Sequence, residues 1–445
     1  MMRDPAFSQL TRPQAFPLQG KHVLVLGLGD TGLSAARHVE REGGTPRVAD
    51  TRNLPPRRTD YAGEFFPGKF ETSLLKSIDL VCVSPGLSLE EPVIRQAVQK
   101  KIPVVGDVEL FAWQNKAKVL AITGTNGKST VTALTGHLLR TAGVDGEVAG
   151  NISPPVLAAV SSRKTPPTVW VLELSSYQLE TTWSLAPHAA AMLNLSEDHF
   201  DRYAGLADYA AAKARVFQGE GVQVLNRDDP RSLGMALPGR KVVSFGRDGD
   251  FGITNGILHH GNQEIVSASA LQIHGAHNVA NALAASALAV SVGVSLEKIR
   301  TGLKTFRGLP HRLELVARRG GVDWYDDSKG TNVGATVAAL KGLGRKAVLI
   351  LGGEGKGQDF SPLREPVAEF ASTVLLIGRD AALIQKALSG LNTQRCSSLE
   401  DAVQKAAELS AEAVLLSPAC ASFDMFRDYK HRGEVFAAAV RKLGA

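Results

Sequence analysis

The residues with the most chemistry in them lie at Thr123–Thr130, TGTNGKST, where the apolar run KVLAI (Lys118–Ile122) gives way to two glycines and a lysine. After a buried strand, the N–H groups of such a turn, and of the helix it opens, converge on one point and cradle phosphate oxygens. Lys128 would neutralise β,γ-phosphate charge, and Ser129 or Thr130 would offer a hydroxyl to Mg²⁺. The usual spacing puts glycine where Ile122 stands, so this is a shortened variant, and a plain strand-to-helix turn is the bland alternative. The residue types favour an ATP loop made by Gly124, Thr125, Asn126, Gly127, Lys128, Ser129 and Thr130.

A magnesium nucleotide needs hard oxygen ligands. Glu173 closes the apolar run TVWVLEL (Thr168–Leu174), and parallel α/β sheets carry functional side chains at the carboxyl ends of their strands. Capping the following helix is the other role open to it. NLSEDHFDRY then offers Glu197, Asp198, His199 and Asp201 within one turn, and spacing does not say which would ligate. Nearer the start, GLGDTG (Gly27, Gly29, Gly32) fits G-x-G-x-x-G, and Asp50 ends the next strand near the distance of a ribose-binding acid. Taken alone, that pair points to a dinucleotide oxidoreductase. A nucleotide-sugar diphosphate would satisfy the same helix N-terminus, so both readings stay open.

Three strand–turn–helix segments must position these groups. The first runs from KHVLVLGLGDTG through apolar stretches at Arg47–Ala49, Asp79–Val83 and Ile102–Val105. In the second, Val131, Leu134, Leu138 and Leu139 share one helix face, and apolar runs at Thr168–Leu174 and Ala190–Leu195 read as strands. A β excursion near Val242–Val266 and a long helix in HNVANALAASALAVSVG follow. The third has strands at Val322–Tyr325, Ala347–Leu351, Thr373–Ile377 and Ala413–Leu416. The pattern predicts an α/β protein of three domains: a Rossmann-like domain over 1–115, a central phosphate-loop mononucleotide-binding domain over 116–309, and a Rossmann-like α/β domain over 310–445.

Composition narrows the function classes. Of 445 residues, 44% are hydrophobic and 21% charged, an ordinary globular balance. The net charge of +6 comes from scattered basic pairs without interleaved aromatics, which disfavours a nucleic-acid stripe and suits anionic small substrates. No apolar run approaches the ~20 residues of a membrane span, and the first twenty residues have no signal-peptide core. Cys82, Cys396 and Cys420 have no metal-like spacing and read as thiols of a reducing compartment. The expectation is a cytoplasmic protein with no nucleic-acid or membrane partner.

In order along the chain, GLGDTG, DTR, SPG, TGTNGKST, GNIS, LELSSYQLE, NLSEDHFDRY, AAKARVF, HNVANALAA, PHRLE, DDSKGTN, LGGEGKGQDF and SPACASFDMF together resemble the Mur ligase family. The resemblance covers nearly the whole chain, and GLGDTG with DSKGTN favours its D-glutamate-adding branch. It implies a monomer that uses ATP to join D-glutamate to UDP-N-acetylmuramoyl-L-alanine through an acyl phosphate. Ser129 and Glu173 would hold one Mg²⁺, and His199 a second. Lys213, on residues alone a plain helix-surface lysine, matches the lysine that the family carbamylates. By the same resemblance Asn278, Asn281, Arg312 and Asp327 would meet ATP. Thr31, Gly32, Asp50, Arg52, Ser84, Pro85, Gly86 and Asn151 would meet the UDP substrate, with Asn151 also at the phosphoryl region. Lys329, Thr331, Lys356, Ser422 and Phe423 would receive D-glutamate. For the asparagine pair, helix capping or packing is the alternative, and His311 reads as structural.

Overall fold

Val23–Leu26, Leu80–Val83 and Leu120–Ile122 are continuous apolar runs almost wholly shut from solvent. Such runs suit strands covered by helices on both faces, as in parallel sheets. The computed structural model, which describes residues 10–199, 202–273 and 275–443, builds three sheets from them. The first holds β1 (His22–Leu26), β2 (Thr45–Asp50), β3 (Phe65–Pro67), β4 (Leu80–Val83) and β5 (Val104–Val105) in the order β3-β2-β1-β4-β5, all parallel.

The second sheet starts with β6 (Lys118–Thr123), β7 (Gly146–Gly150), β8 (Val169–Glu173), β9 (Ala189–Met192) and β10 (Val222–Asn226). It continues with β11 (Val242–Phe245), β12 (Phe251–Thr254), β13 (Ile257–His260) and β14 (Gln263–Ser267), in the order β14-β13-β12-β11-β10-β9-β6-β8-β7. The expected β excursion is its outer edge, where β12, β13 and β14 pair antiparallel. The third comprises β15 (Glu314–Arg319), β16 (Val322–Asp326), β17 (Ala347–Gly352), β18 (Ala371–Ile377), β19 (Thr393–Arg395) and β20 (Ala413–Leu416), ordered β15-β16-β20-β17-β18-β19. Only its β15–β16 pair is antiparallel.

The chain divides into two compact units, Met1–Ser267 with Ala282–Leu303, and Ala268–Asn281 with Lys304–Ala445. The first unit contains the first two sheets, and one apolar cluster runs through both, from Val23 and Val25 by way of Leu110 and Phe111 to Trp170 and Leu172. A buried carboxylate fastens them: Glu109 Oε2 accepts from Trp183 N at 2.6 Å and Ser184 N at 2.9 Å. In the second unit, apolar clusters cover both faces of the sheet, one around Leu349 and Leu415, the other around Val348, Ile350 and Phe436. Among the described residues no helix is long and apolar enough to cross a membrane. Cys82 and Cys420 are buried, and all three thiols are free.

Candidate active site

Strand β6 ends at Thr123 and the helix Lys128–Thr141 begins five residues later. The turn between them needs its glycines. Gly124 has φ 149° and a Cβ there would lie 2.9 Å from Leu193 Cβ, while Gly127 caps the helix in the left-handed region at φ 84°. Lys128 curls back over the turn, its Nζ donating to Gly124 O and Thr125 O at 2.9 Å each. Its charge is thereby held over the loop, next to the N–H groups of the first helical turn. Ser129 and Thr130 follow, both buried.

Asn194, a residue the sequence reading passed over, fixes the loop from the end of β9. Its Oδ1 accepts from Asn126 N at 2.8 Å, its Nδ2 donates to Asn126 O at 3.1 Å, and its carbonyl accepts from Thr125 N at 2.9 Å. The rule that picked out Glu173, a polar group at a strand's carboxyl end, would also have picked out Asn194.

Glu173 is 2% exposed. The cap of the next helix is Ser175, whose side chain accepts from Gln178 N, so capping is not the work of Glu173. Its Oε1 accepts from Asn151 Nδ2 at 2.7 Å, and its buried Oε2 has no hydrogen-bond partner. A carboxylate oxygen left unpaired in the interior is costly unless a cation or donor arrives. That orphan oxygen, beside a loop shaped for a triphosphate, fits a hard divalent cation. Gly150, at φ 110°, lets Asn151 come this close, since a Cβ there would stand 2.3 Å from Glu173 O.

Lys213 is where the structure departs most from the reading of its residue type. On the helix Leu206–Ala214 it is 1% exposed, not a surface lysine. Its Nζ donates to Gly124 O at 2.8 Å and Thr123 Oγ1 at 3.4 Å, and sits 4.6 Å from the Tyr209 ring centroid. Burial first, and then the charge of Lys128, hold its pKa well below the ordinary lysine value; Asp198 and Glu173 pull the other way. His199, in the left-handed region at φ 57°, shares a 2.8 Å hydrogen bond between its Nδ1 and the Tyr177 hydroxyl, with Asp198 Oδ2 3.8 Å from its Nε2. Asp201 lies outside the described residues.

Between the first two sheets opens a cleft of about 510 Å³. Thr31, Asp50, Arg52, Ser84, Pro85, Gly86 and Asn151 line it, joined by Gln178, which sequence reading did not single out. Gly32 is not in the lining. It is buried beneath the turn, where a Cβ would meet Gly27 O at 1.8 Å. Asp50 is fully engaged: Oδ2 accepts from Leu28 N at 2.7 Å, and both oxygens hold Arg52 through Nε and Nη2 at 2.8 Å. Burial raises its pKa, but the hydrogen bonds from Arg52 and Leu28 outweigh this and hold it below the usual carboxylate value. Asp30, also lining the cleft, is paired with Arg57 at 2.5 Å.

In the second unit, Asn281 Nδ2 donates to Asn278 Oδ1 at 3.0 Å, and both are buried on the helix Ala276–Ser291. Asp327 follows β16 and accepts from Ser417 Oγ at 2.7 Å. The protein packed around it pushes its pKa up to about 7, against the pull of Ser417 and of Arg312's charge. Lys329 Nζ lies 4.1 Å from the Tyr429 ring centroid. Thr331 N donates to Lys329 O at 2.8 Å. Lys356 is exposed in the left-handed region at φ 52°, Ser422 is buried and Phe423 is 66% exposed. His311, read as structural, donates through Nδ1 to Asp326 Oδ2 at 2.7 Å, and this hydrogen bond raises its pKa.

Family models match three stretches in order: a Mur ligase MurD-like N-terminal domain over residues 21–106, a Mur ligase middle domain over 122–289, and a Mur ligase glutamate ligase domain over 311–420. The UDP-N-acetylmuramoylalanine--D-glutamate ligase of Thiobacillus denitrificans is 54% identical, over 97% of this chain and 98% of that one. The enzyme of the same name from Nitrosospira multiformis is 52% identical, over 96% and 97%. Among solved structures, UDP-N-acetylmuramate-alanine ligase MurC from Thermotoga maritima superposes with TM-score 0.64 at 19% identity, over 95% of this chain and 99% of that one. Folylpolyglutamate synthase of Mycobacterium tuberculosis does so with TM-score 0.59 at 15% identity, over 74% and 93%. These two likenesses speak for the fold alone. Three domain matches in register, and identities above one half over nearly all of both chains, settle the relationship: the chain belongs to the Mur ligase family.

Proposed function

We propose that the protein is an ATP-dependent ligase that joins D-glutamate to UDP-N-acetylmuramoyl-L-alanine in peptidoglycan precursor synthesis, giving ADP and phosphate. The observation that carries this reading is the Asn151–Glu173 hydrogen bond, because Asn151 also lines the cleft and Glu173 stands beside the phosphate loop. One side chain thus joins the place for a nucleotide-sugar diphosphate to the place for a triphosphate. A nicotinamide oxidoreductase is disfavoured, since the acid that would take the ribose hydroxyls, Asp50, already spends both oxygens on Arg52 and Leu28 N.

A carboxylate does not react with an amine at neutral pH, because its oxygen leaves poorly. In the first step the substrate carboxylate oxygen bonds to the ATP γ-phosphorus, the bond to the β-phosphate oxygen breaks, and ADP departs. In the second, the D-glutamate nitrogen adds to the acyl carbon, a proton leaves the amine, and the tetrahedral intermediate expels phosphate. Lys128 and the first-turn N–H groups of the helix Lys128–Thr141 steady the phosphate oxygens throughout. Mg²⁺, when held in two sites by Ser129, Glu173, His199 and carbamylated Lys213, would supply the positive charge that lets two anions meet.

Carbamylation needs a neutral amine, and burial, followed by the charge of Lys128, shifts Lys213 towards that form. Attack of its Nζ on CO₂ makes the N–C bond and releases a proton, turning a cation that would repel the metal into an anion that attracts it. Asn278, Asn281, Arg312 and Asp327 are assigned to ATP, and Lys329, Thr331, Lys356, Ser422 and Phe423 to D-glutamate. Cationic and hydroxyl groups suit a dicarboxylate. The segments 1–115, 116–309 and 310–445 are assigned to UDP substrate, ATP and amino acid in a monomeric, cytoplasmic enzyme. The test is phosphate release from ATP, expected only when UDP-N-acetylmuramoyl-L-alanine and D-glutamate are both present. Release with a different amino acid alone would move the protein to a sister activity.

A further inference from the structure

Arg202 belongs to the run NLSEDHFDRY, yet nothing in the mechanism above uses it. Its side chain is only 14% exposed and every edge of the guanidinium is engaged. Nε donates to Glu180 Oε1 at 3.2 Å and Nη2 to Glu180 Oε2, a buried carboxylate. The plane lies 4.3 Å from the Tyr177 ring centroid, and Tyr177 and Glu180 are three apart on one turn, so both face it. Nη1 donates to two backbone carbonyls of the loop after β4, Pro85 O at 3.2 Å and Leu87 O at 2.7 Å.

That loop, Ser84–Leu87, lines the cleft, whereas Arg202 does not. The two carbonyl dipoles are therefore drawn to the guanidinium, behind the loop, and not towards an anion in the cleft, which they would repel. The far side of the same assembly ends at the metal corner, through the Tyr177 hydroxyl on His199 Nδ1 at 2.8 Å.

We infer that Arg202 is a positioning residue for the nucleotide-sugar diphosphate: by holding the Ser84–Leu87 loop to the Tyr177–Glu180 turn, it sets the height of the diphosphate's seat relative to His199. The ligand's identity rests on the ligase reading; the positioning rests on the contacts. Only a planar fork makes all of them at once, so lysine, with the same charge, is not a substitute.

The test is calorimetric titration of UDP-N-acetylmuramoyl-L-alanine into the full chain, without ATP or Mg²⁺, beside thermal melts. For Arg202→Lys we expect Kd to rise tenfold or more while the KM for ATP stays within twofold. A role in holding the fold alone would lower the melting temperature and leave Kd where it was, and that result overturns the inference. Should Arg202→Lys fail to fold, Glu180→Gln decides: it keeps the arginine, weakens its anchor, and should raise Kd three- to tenfold, whereas an unchanged Kd overturns the inference. Wild-type protein that does not bind this ligand at all would overturn the ligase reading and the inference with it. Wild-type binding that the folded variants match overturns the inference alone.

Discussion

At the scale of single residues, Lys213 shows how environment rewrites a side chain's chemistry. Its 1% exposure and its position under the phosphate loop make an amine that cannot keep a proton cheaply. If Lys213 carries the proposed carbamate, Lys213→Ala should lose at least about a hundredfold in turnover, since an anionic partner for the metal goes with it. Added bicarbonate should not restore it, whereas a short carboxylic acid that enters the vacated space should do so in part. Undiminished turnover in this variant would remove the carbamate role. Asn194 is a second case, with two side-chain hydrogen bonds to Asn126 on the loop. Each such bond is worth about 0.5–1.5 kcal/mol when intact, and more when its loss strands a buried partner. Asn194→Ala should raise the KM for ATP about tenfold or lower kcat comparably, with the Kd for the UDP substrate unchanged. A steady-state comparison checks this, and equal ATP parameters would show the loop to be rigid without its clamp.

At the scale of elements, close approach matters more than residue chemistry. Gly32 sits on the helix Asp30–Arg41 where it passes Gly27, and a Cβ would meet a backbone oxygen at 1.8 Å. Backbone cannot swing aside as a side chain does, so Gly32→Ala should push the helix off the turn at a cost of about 2–3 kcal/mol. Loss of UDP-substrate affinity should accompany the fall in melting temperature, and a variant that melts and binds like wild type would refute the packing argument. Part of this fold is legible in the sequence. Apolar runs such as His22–Leu26 and Val169–Glu173 were readable because strands buried on both faces have nowhere to put polar residues. Edge strands β3, β7, β15 and β19 escaped notice: GEVAG and TQR carry no apolar stretch, and ELVARR is half exposed. β10, VQVLN, was missed for another reason, a fully buried Gln223 that bonds Met235 O and Leu237 N. In the candidate site, the glycines of the two turns are legible from type and order, whereas Lys213 is not: its type alone reads as a surface lysine, and it is buried. Nor are Ser417 and Arg202, because their partners lie far off in sequence: Ser417 to Asp327 spans 90 residues and Arg202 to Leu87 spans 115.

At the scale of the whole molecule, the chain crosses between two compact units three times, and each unit has its own sheet system and apolar clusters. Two calorimetric transitions are therefore expected. UDP-N-acetylmuramoyl-L-alanine at a hundredfold over its Kd should raise the one belonging to the unit with the cleft by about 2.7 kcal/mol. The other unit carries its own label in Asp327, whose pKa stands near 7 in the fold against 3.8 when free. The folded protein then holds a proton that the unfolded chain has already released over that interval. The stabilisation from this proton is complete below the unfolded value and is lost as pH rises through about 7. Asp327→Asn cannot titrate, so its transition should gain on that of wild type between pH 5 and pH 8. The gain should be about 2 kcal/mol, discounted because Asp327 keeps a partly exposed edge. His311, whose pKa is also raised, moves both proteins with the same sign and drops out of the difference. Melting curves for the pair that run parallel across this range would mean that the carboxyl is ionised throughout, and would overturn the proton-holding role argued for it.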